Sequence, residues 1–488
     1  MYQLNDYTQQ FIDGDWQTGS DGSHTTVDTD PYNGEKLTEI VGADKSDVDA
    51  AYTSAQQAQK EWAASPASAR IAVLDKALEL IDEHHEQIIK DLVNESGSTR
   101  IKAEFELFSA INITKESRNI ALHADGKILQ PAYPQQTSLA FREPLGVIGL
   151  ISPWNFPFHL TMRSLAPALA LGNSVVVKPA SDTPVTGGLL LGQIFADAGL
   201  PAGVLNVVVG SGSVIGDYFV QHPIPELISF TGSSAVGRGI GEKVMQTDVL
   251  KKTSLELGGN APFVVLDDAD LDDAAHGAVV SKFLHQGQIC MTANRLIVEE
   301  KVYDKFMPLL AKYVKGMKVG DPNDEDTVVG PIINQKQTDS ILNKVLQAKK
   351  DGATEFISGK HDGNLIWPIV LTNIDPLAEI AQEEVFGPVY PVIKVANDEE
   401  ALEIANNTKY GLSSAVYTSD MERGIKFARG IDAGMTHIND ISPDDQPNVP
   451  FGGEKNSGIG RFNGERVLDE FTRMHWITYQ GEPHPYPF

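Results

Sequence analysis

From Gly146 onward the chain repeats one unit, a short run of apolar residues followed by a stretch with helical spacing. The runs fall at 147–151, 174–178, 205–209, 227–230 and 254–257. Strands this short and apolar throughout, separated by helices, imply a parallel sheet covered on both faces. One intervening helix is expected from about Phe158 to Leu171-Gly172, and another opens at Thr183-Pro184, an N-cap followed by proline at the first helical position. In such sheets ligands sit beyond the carboxyl ends of the strands. Lys178, Gly210, Gly232, Ser233 and Glu256 all fall at or just after those ends.

A second α/β region runs from about 258 to 460, with apolar runs at 262–266, 295–298, 389–395 and 415–418 and helices at 302–314 and 335–349. Before the first region, 11–17 reads as a hairpin turning at Asp13-Gly14. Residues 46–65 and 69–94 read as two helices, the second with Ile71, Leu74, Leu78, Ile81 and Ile88 on one face. Two strand-like segments rich in aromatics, 126–142 and 466–488, fit neither region and are expected to form an arm for subunit contact. The division expected is 1–125 with 143–257, then 258–465, with 126–142 and 466–488 as the arm.

Composition excludes several classes. At 488 residues the chain is too long for one core, and two to four domains are expected. A formal charge of −27 argues against nucleic acid and anionic membranes. No apolar run reaches membrane-spanning length, and residues 1–6 carry no basic, apolar signal pattern. One cysteine cannot form an intrachain disulfide, so a cytoplasmic location is expected, and no metal centre.

That cysteine, Cys290, carries the chemistry. A segment with Leu271, Ala274, Ala275, Ala278, Val279, Lys282 and Phe283 at helical spacing precedes it behind an Asp270 cap. Gly287 lets the helix end, and a strand starts at Arg295. The thiol is therefore expected on a tight connection, presented rather than packed, and partly ionised near neutral pH. A lone cysteine without such company is more often a buried structural residue. Pro153-Trp154-Asn155-Phe156-Pro157 holds a carboxamide in a rigid turn, suited to a developing oxyanion. Lys178 suits a ribose or phosphate. Residues 210–216 are glycine-rich but lack the GxGxxG pattern, while 230–237 opens a helix whose N-terminus can hold an anion. Glu256, before Leu257-Gly258-Gly259-Asn260, is placed to act as a base. Singly, each has a plain alternative: a turn cap, a solvated lysine, a glutamate paired with an arginine. Together, in this order, they favour one site.

On these motifs, with Lys178-Pro179, 287–290, Glu383-Glu384-Val385-Phe386-Gly387-Pro388 and Pro450-Phe451-Gly452-Gly453, nearly the whole chain resembles the NAD(P)-dependent aldehyde dehydrogenases. The resemblance implies a Rossmann-like parallel-sheet cofactor domain, an α/β catalytic domain and a small β oligomerisation arm in a homodimer or homotetramer. It assigns Cys290 as the nucleophile giving a thiohemiacetal and then a thioester. Asn155 and the Cys290 N–H would hold the oxyanion, and Glu256 would activate the hydrolytic water. Cofactor contacts are implied at Ser152, Pro153, Trp154, Lys178, Ser181 and Gly212. They are implied also at Gly232, Ser233, Gly237, Leu257, Glu384 and Phe386. Phe156, Ile289, Met291 and Phe451 would line the substrate pocket. Many NAD-specific members carry a glutamate three residues after the lysine; here Ser181 stands there, so NADP is expected alongside NAD. The segments 437–453 and 453–462 are similar to bacterial members that oxidise benzaldehyde-type aldehydes, including vanillin. Arg163 suggests an acidic substrate such as succinic semialdehyde, although an ion pair is its plainer use. A coenzyme-A-acylating relative would have less need of Glu256, and a catalytically silent relative would have lost one of Cys290, Glu256 and Asn155.

Overall fold

The computed structural model describes residues 4–483, 486 and 488, so 1–3 of the expected first domain and 484, 485 and 487 of the expected arm lie outside it. The chain opens with the expected hairpin, β1 (Gln10–Ile12) and β2 (Asp15–Gln17), turned through Asp13 and Gly14 at φ of 56° and 79°. Four helices follow: α1 (Lys45–Ala64), α2 (Ala67–Glu83), α3 (His85–Ser96) and α4 (Arg100–Ile120). Asp44 and Asp47 close a capping box at the start of α1. The single helix expected over 69–94 is two, broken at His84, and the break re-aims α3 so that Ile89, Val93 and the carboxylate of Glu95 face inward. α4 was not anticipated.

β3 (Lys127–Leu129) and β4 (Gln136–Pro144) precede the first α/β region, which holds β5 (Val147–Ile151), α5 (Pro157–Ala170), β6 (Ser174–Lys178), α6 (Leu190–Asp197), β7 (Leu205–Val207), β8 (Leu227–Thr231), α7 (Ser234–Met245) and β9 (Lys252–Glu256). The helix expected to open on a Thr183 cap opens otherwise. It begins as a π-turn at Val185, its first N–H groups donate to the buried Glu95 carboxylate at 2.7 Å, and the Thr183 hydroxyl has no partner. A buried carboxylate satisfies two orphan donors where one hydroxyl satisfies one.

The second region holds β10 (Ala261–Val265), α8 (Leu271–Phe283), β11 (Ala293–Glu299), α9 (Glu300–Gly316), α10 (Gln335–Lys350), β12 (Thr354–Ile357), β13 (Ile369–Thr372), β14 (Val389–Val395), α11 (Asp398–Asn406), β15 (Ala415–Tyr417) and β16 (His437–Ile438). The chain ends through β17 (Gly458–Ile459), α12 (Arg466–Phe471) and β18 (Thr472–Gln480). Among the described residues no helix is long and apolar enough to cross a membrane.

The first sheet has the order β2-β1-β7-β6-β5-β8-β9-β17, parallel from β7 to β9 with antiparallel edges. Its strand order reverses between β5 and β8, which makes that crevice the topological switch point. The second sheet, β12-β13-β14-β11-β10-β15-β16, is parallel except at β12. Alternate residues feed separate cores on its two faces, Val264, Ile297 and Ile393 on one and Phe263, Leu296 and Val392 on the other. The strands β18, β4 and β3 form a separate antiparallel sheet, with nine paired positions between β18 and β4. β18 is exposed over most of its length, with Trp476 at 67% and Tyr479 at 58%.

Arg295 ties the second sheet together. Its fully buried guanidinium donates to Ile404 O (2.7 Å) and Ala405 O (2.9 Å) in the last turn of α11, and to Asn260 O (3.0 Å) beside β10. A cation suits the negative end of a helix, and burial pushes this one down to about 9. Replacing it with methionine, Arg295→Met, takes the guanidinium donors away from three buried carbonyls. Calorimetry is expected to show a lower melting temperature, from a loss of about 3 kcal/mol.

Candidate active site

Between β9 and β10 the chain passes from one sheet to the other through Leu257-Gly258-Gly259-Asn260. The carboxyl ends of β5, β8 and β9 therefore face the segments that lead into β11 and β14. After β5 comes the Pro153–Pro157 turn, and after β8 the Gly232-Ser233 corner, where the Ser233 hydroxyl accepts the Val236 N–H and caps α7. Before β11 comes Cys290, and before β14 Glu384 and Phe386.

The approach to Cys290 is a left-handed turn. α8 is capped by Asp270 as expected, but it stops at Phe283, and His285, Gln286 and Gly287 follow at φ of 49°, 56° and 76°. Glycine alone takes this region without strain, yet two bulkier residues share it here. A Cβ on Gly287 would also stand 2.4 Å from Gly387 O. The turn delivers Gln288 O to the Asn155 carboxamide, whose Nδ2 donates to it at 2.9 Å.

Two cavities meet at Asn155, Leu160 and Cys290. The larger, about 220 Å³, is lined by Pro153 and Trp154, by Gly232, Ser233, Glu256 and Leu257, and by Glu384 and Phe386 from the second region. The smaller is apolar, about 30 Å³, and brings together Phe156, Ile289, Met291 and Phe451. Of the residues given cofactor or substrate roles by the resemblance, five stand outside both linings. Ser152 is buried and donates to Gly187 O, and Lys178 is buried with its ammonium on Pro179 O. Ser181 and Gly212 are exposed. Gly237 packs under Leu257, where a Cβ would clash at 2.3 Å.

Sequence reasoning missed Gln337, Ser340 and Lys344, which line the larger cavity from α10. Their only signal is the polar side of a helix, which looks solvated. Phe105 and Ser109, from the unanticipated α4, line the smaller cavity, as do His159 and Asp445. Arg163 is an ion pair, as its plainer reading held. It lies 3.5 Å from Asp445, with the guanidinium 4.4 Å over the Phe451 ring.

Burial sets the electrostatics. Glu256 is 2% exposed and neither carboxylate oxygen has a hydrogen-bond partner, so it is not paired with an arginine. Desolvation, partly offset by the more distant Arg163 and Arg461, raises it to about 8. Glu384 is raised to about 7 by burial although it accepts the Gly259 N–H at 3.0 Å, and burial lowers Lys178 to about 8. The expectation that Cys290 is partly ionised near neutral pH does not hold. Burial, with the Glu384 and Glu256 carboxylates nearby, pushes its thiol up to about 12. A thiolate here needs either a base or a cation brought into the cavity.

The constellation can serve addition to a carbonyl: a thiol, a carboxamide donor beside it, an unpartnered carboxyl in the same cavity, and an apolar recess. The larger cavity also carries features that suit an anionic cofactor. A helix N-terminus opens at Ser233, and Gly258 brings the backbone close to Glu384, where a Cβ would stand 2.7 Å from its oxygen.

Residues 16–477 match the model of the aldehyde dehydrogenase family. The chain is 49% identical over 472 residues to a vanillin dehydrogenase of Corynebacterium glutamicum, covering 97% of each. It is 47% identical over 488 residues to a benzaldehyde dehydrogenase of Bacillus subtilis, covering 100% of each. The crystal structure of an NAD-dependent benzaldehyde dehydrogenase from Corynebacterium glutamicum superposes with a TM-score of 0.90 at 46% identity, covering 99% of this chain and 98% of that one.

Glu256 weakens the fold that holds it. The unfolded chain releases this proton near 4.5, whereas the fold retains it to about 8, so stability falls as pH rises across that window. Glu256→Gln is expected to melt higher than the unaltered protein at pH 9, by on the order of 4 kcal/mol, with the gain shrinking toward pH 5.5. Calorimetry across pH checks both the sign and the window.

Proposed function

Because this chain belongs to the aldehyde dehydrogenase family, and so oxidises aldehydes with a nicotinamide cofactor, we propose that its substrate is an aromatic aldehyde of the benzaldehyde or vanillin kind, converted to the carboxylic acid. The observation that carries this is the apolar recess opening on Cys290, walled by Phe156, Phe451, Ile289 and Met291. Phenyl faces suit an aromatic ring, and Met291 is the flexible wall that yields to it. The names of the similar proteins support the same class. Arg163 also lines the recess, and its ion pair with Asp445 at 3.5 Å counts against an acidic aldehyde such as succinic semialdehyde.

In the proposed reaction Glu256 takes the Cys290 proton, and the thiolate adds to the carbonyl carbon. The oxygen of the adduct is held by the Asn155 side chain and the Cys290 N–H. When bound, the oxidised nicotinamide supplies a positive charge that favours the thiolate and the acceptor for the hydride leaving the thiohemiacetal. Glu256 passes that first proton to solvent and then deprotonates water, which attacks the thioester carbon, and the Cys290 thiolate leaves. Cofactor-binding roles are proposed for Ser152, Pro153, Trp154, Lys178, Ser181 and Gly212. Gly232, Ser233, Gly237, Leu257, Glu384 and Phe386 complete that set. Ser181 leaves a 2′-phosphate unrepelled, so the chain is proposed to use NADP as well as NAD.

The proposed cofactor domain is 1–125 with 143–257, and the catalytic domain 258–465. The strands within 126–142 and 466–488 would pair with a second copy in a homodimer or homotetramer. Their exposed aromatic strand β18 supports this, and the lone cysteine supports a reducing cytoplasm.

Reduced-cofactor formation at 340 nm with benzaldehyde, vanillin, succinic semialdehyde and acetaldehyde tests the reading. The aromatic aldehydes are expected to give the highest kcat/KM, with both NAD and NADP. Cys290→Ala is expected to abolish turnover. Glu256→Gln, which removes the base for both the thiol and the water, is expected to turn over at least 100-fold more slowly, on the order of a lost general base. The kcat/KM of the unaltered protein is expected to rise with pH up to about 8, where Glu256 becomes a carboxylate. Preference for acetaldehyde or succinic semialdehyde would discard the aromatic assignment, and no NADP turnover would discard dual use.

A further inference from the structure

The helix α5 starts without a cap of its own: Phe156 stands at the N-cap position and makes no side-chain hydrogen bond there. The missing acceptor comes from α4. Glu106 Oε1 accepts the N–H groups of Phe158 (2.9 Å) and His159 (3.1 Å), the first donors of α5 after Pro157. Its other oxygen, Oε2, pairs with Lys102 Nζ at 2.5 Å, and both side chains are wholly buried. Lys102 also donates to Ser98 Oγ at 2.8 Å, and its ammonium stands 4.2 Å over the face of the Phe156 ring. His285, in the left-handed turn before Cys290, meets the same ring edge-on at 5.6 Å.

A buried ion pair seldom stabilises a fold more than apolar residues of the same volume. An apolar pair here would fill the space but leave two N–H groups without an acceptor and Phe156 without the cation on its face. The turn these contacts hold is short and stiff, running between Pro153 and Pro157. Displacing its far end therefore moves the carboxamide of Asn155 and the ring of Phe156 together. We propose that the Lys102–Glu106 pair positions this turn, Glu106 setting the Asn155 carboxamide against Cys290 and Lys102 setting the Phe156 wall of the apolar recess. This rests on the roles given above to Asn155 and Phe156. Lys102 and Glu106 themselves line neither cavity, so they act only through the turn.

The test is steady-state kinetics of the full-length protein with benzaldehyde and NAD, on the folded fraction isolated by gel filtration and quantified by its calorimetric unfolding enthalpy, so that misfolded protein does not count. Lys102→Met leaves Glu106 on the α5 donors. It is expected to raise the aldehyde KM about tenfold, with kcat and the NAD KM within about twofold. Glu106→Gln keeps the shape but loses the anion. It is expected to lower kcat about tenfold, with the NAD KM unchanged. Should Glu106→Gln not fold, Lys102→Met/Glu106→Gln removes both buried charges and is expected to show both defects. A pair that only stabilised the fold would lower yield and melting temperature and leave kcat and the aldehyde KM of the folded fraction unchanged. That outcome overturns the proposal. No aldehyde turnover by the unaltered protein would overturn the functional reading and this inference with it, and the two failures are thus told apart.

Discussion

The distance between the two sheets is set by the four residues that join them, Leu257 to Asn260, and the closeness of everything in the cavity follows from it. Gly258 and Gly259 have no side chains because there is no room for any. A Cβ on Gly259 would stand 2.0 Å from the Cys290 carbonyl oxygen, and one on Gly258 2.7 Å from Glu384. With the glycines in place, the backbone itself becomes a partner, and the Gly259 N–H donates to Glu384. One residue on, Asn260 takes the Arg295 guanidinium and donates to Ala381 O at 2.9 Å, so the link is anchored as soon as it enters the second sheet. Carboxyl, thiol and carboxamide come from three distant parts of the sequence, and two missing side chains let them meet.

Solvent is excluded from the cavity and from the strand end at Lys178 alike, and burial accounts for four shifted groups. Glu256, Glu384 and Cys290 are all pushed up and Lys178 is pushed down, each toward its neutral form, with burial the leading reason every time. The groups differ in how far neighbours relieve the cost. Glu384 has a backbone donor, whereas Glu256 has none. An unpartnered buried carboxyl is a poor stabiliser and a good base, since little holds its proton transfer in check.

The strands were legible from the sequence because they are buried on both faces, which leaves apolar runs with clear ends; β5, β6 and β10 fall within a residue of expectation. Asn155, Glu256 and Cys290 were legible because each sits in an unusual local context beside proline or glycine. What burial alone decides was not legible. Cys290 was expected to be partly ionised near neutral pH, and burial pushes its thiol up instead. Thr183 looked like a cap, but the acceptor was Glu95, distant in sequence. The helix α4 went unseen because its inward face includes Lys102 and Glu106, which a pattern search counts as solvated. Gln337, Ser340 and Lys344 reach the cavity through tertiary placement that no local spacing records.

Two cavities that share only Asn155, Leu160 and Cys290 divide their other walls between different stretches of chain. Phe105 and Phe156, with Pro443, Asp445 and Phe451, shape the recess, whereas the ends of β8 and β9 and the segment before β14 shape the larger chamber. Phe105, Pro443 and Phe451 line the recess alone and can change without replacing any wall of the larger chamber. A lineage carrying this fold can therefore exchange one aldehyde for another without relearning how to hold its cofactor, and selection acts on the two chambers as separate heritable modules.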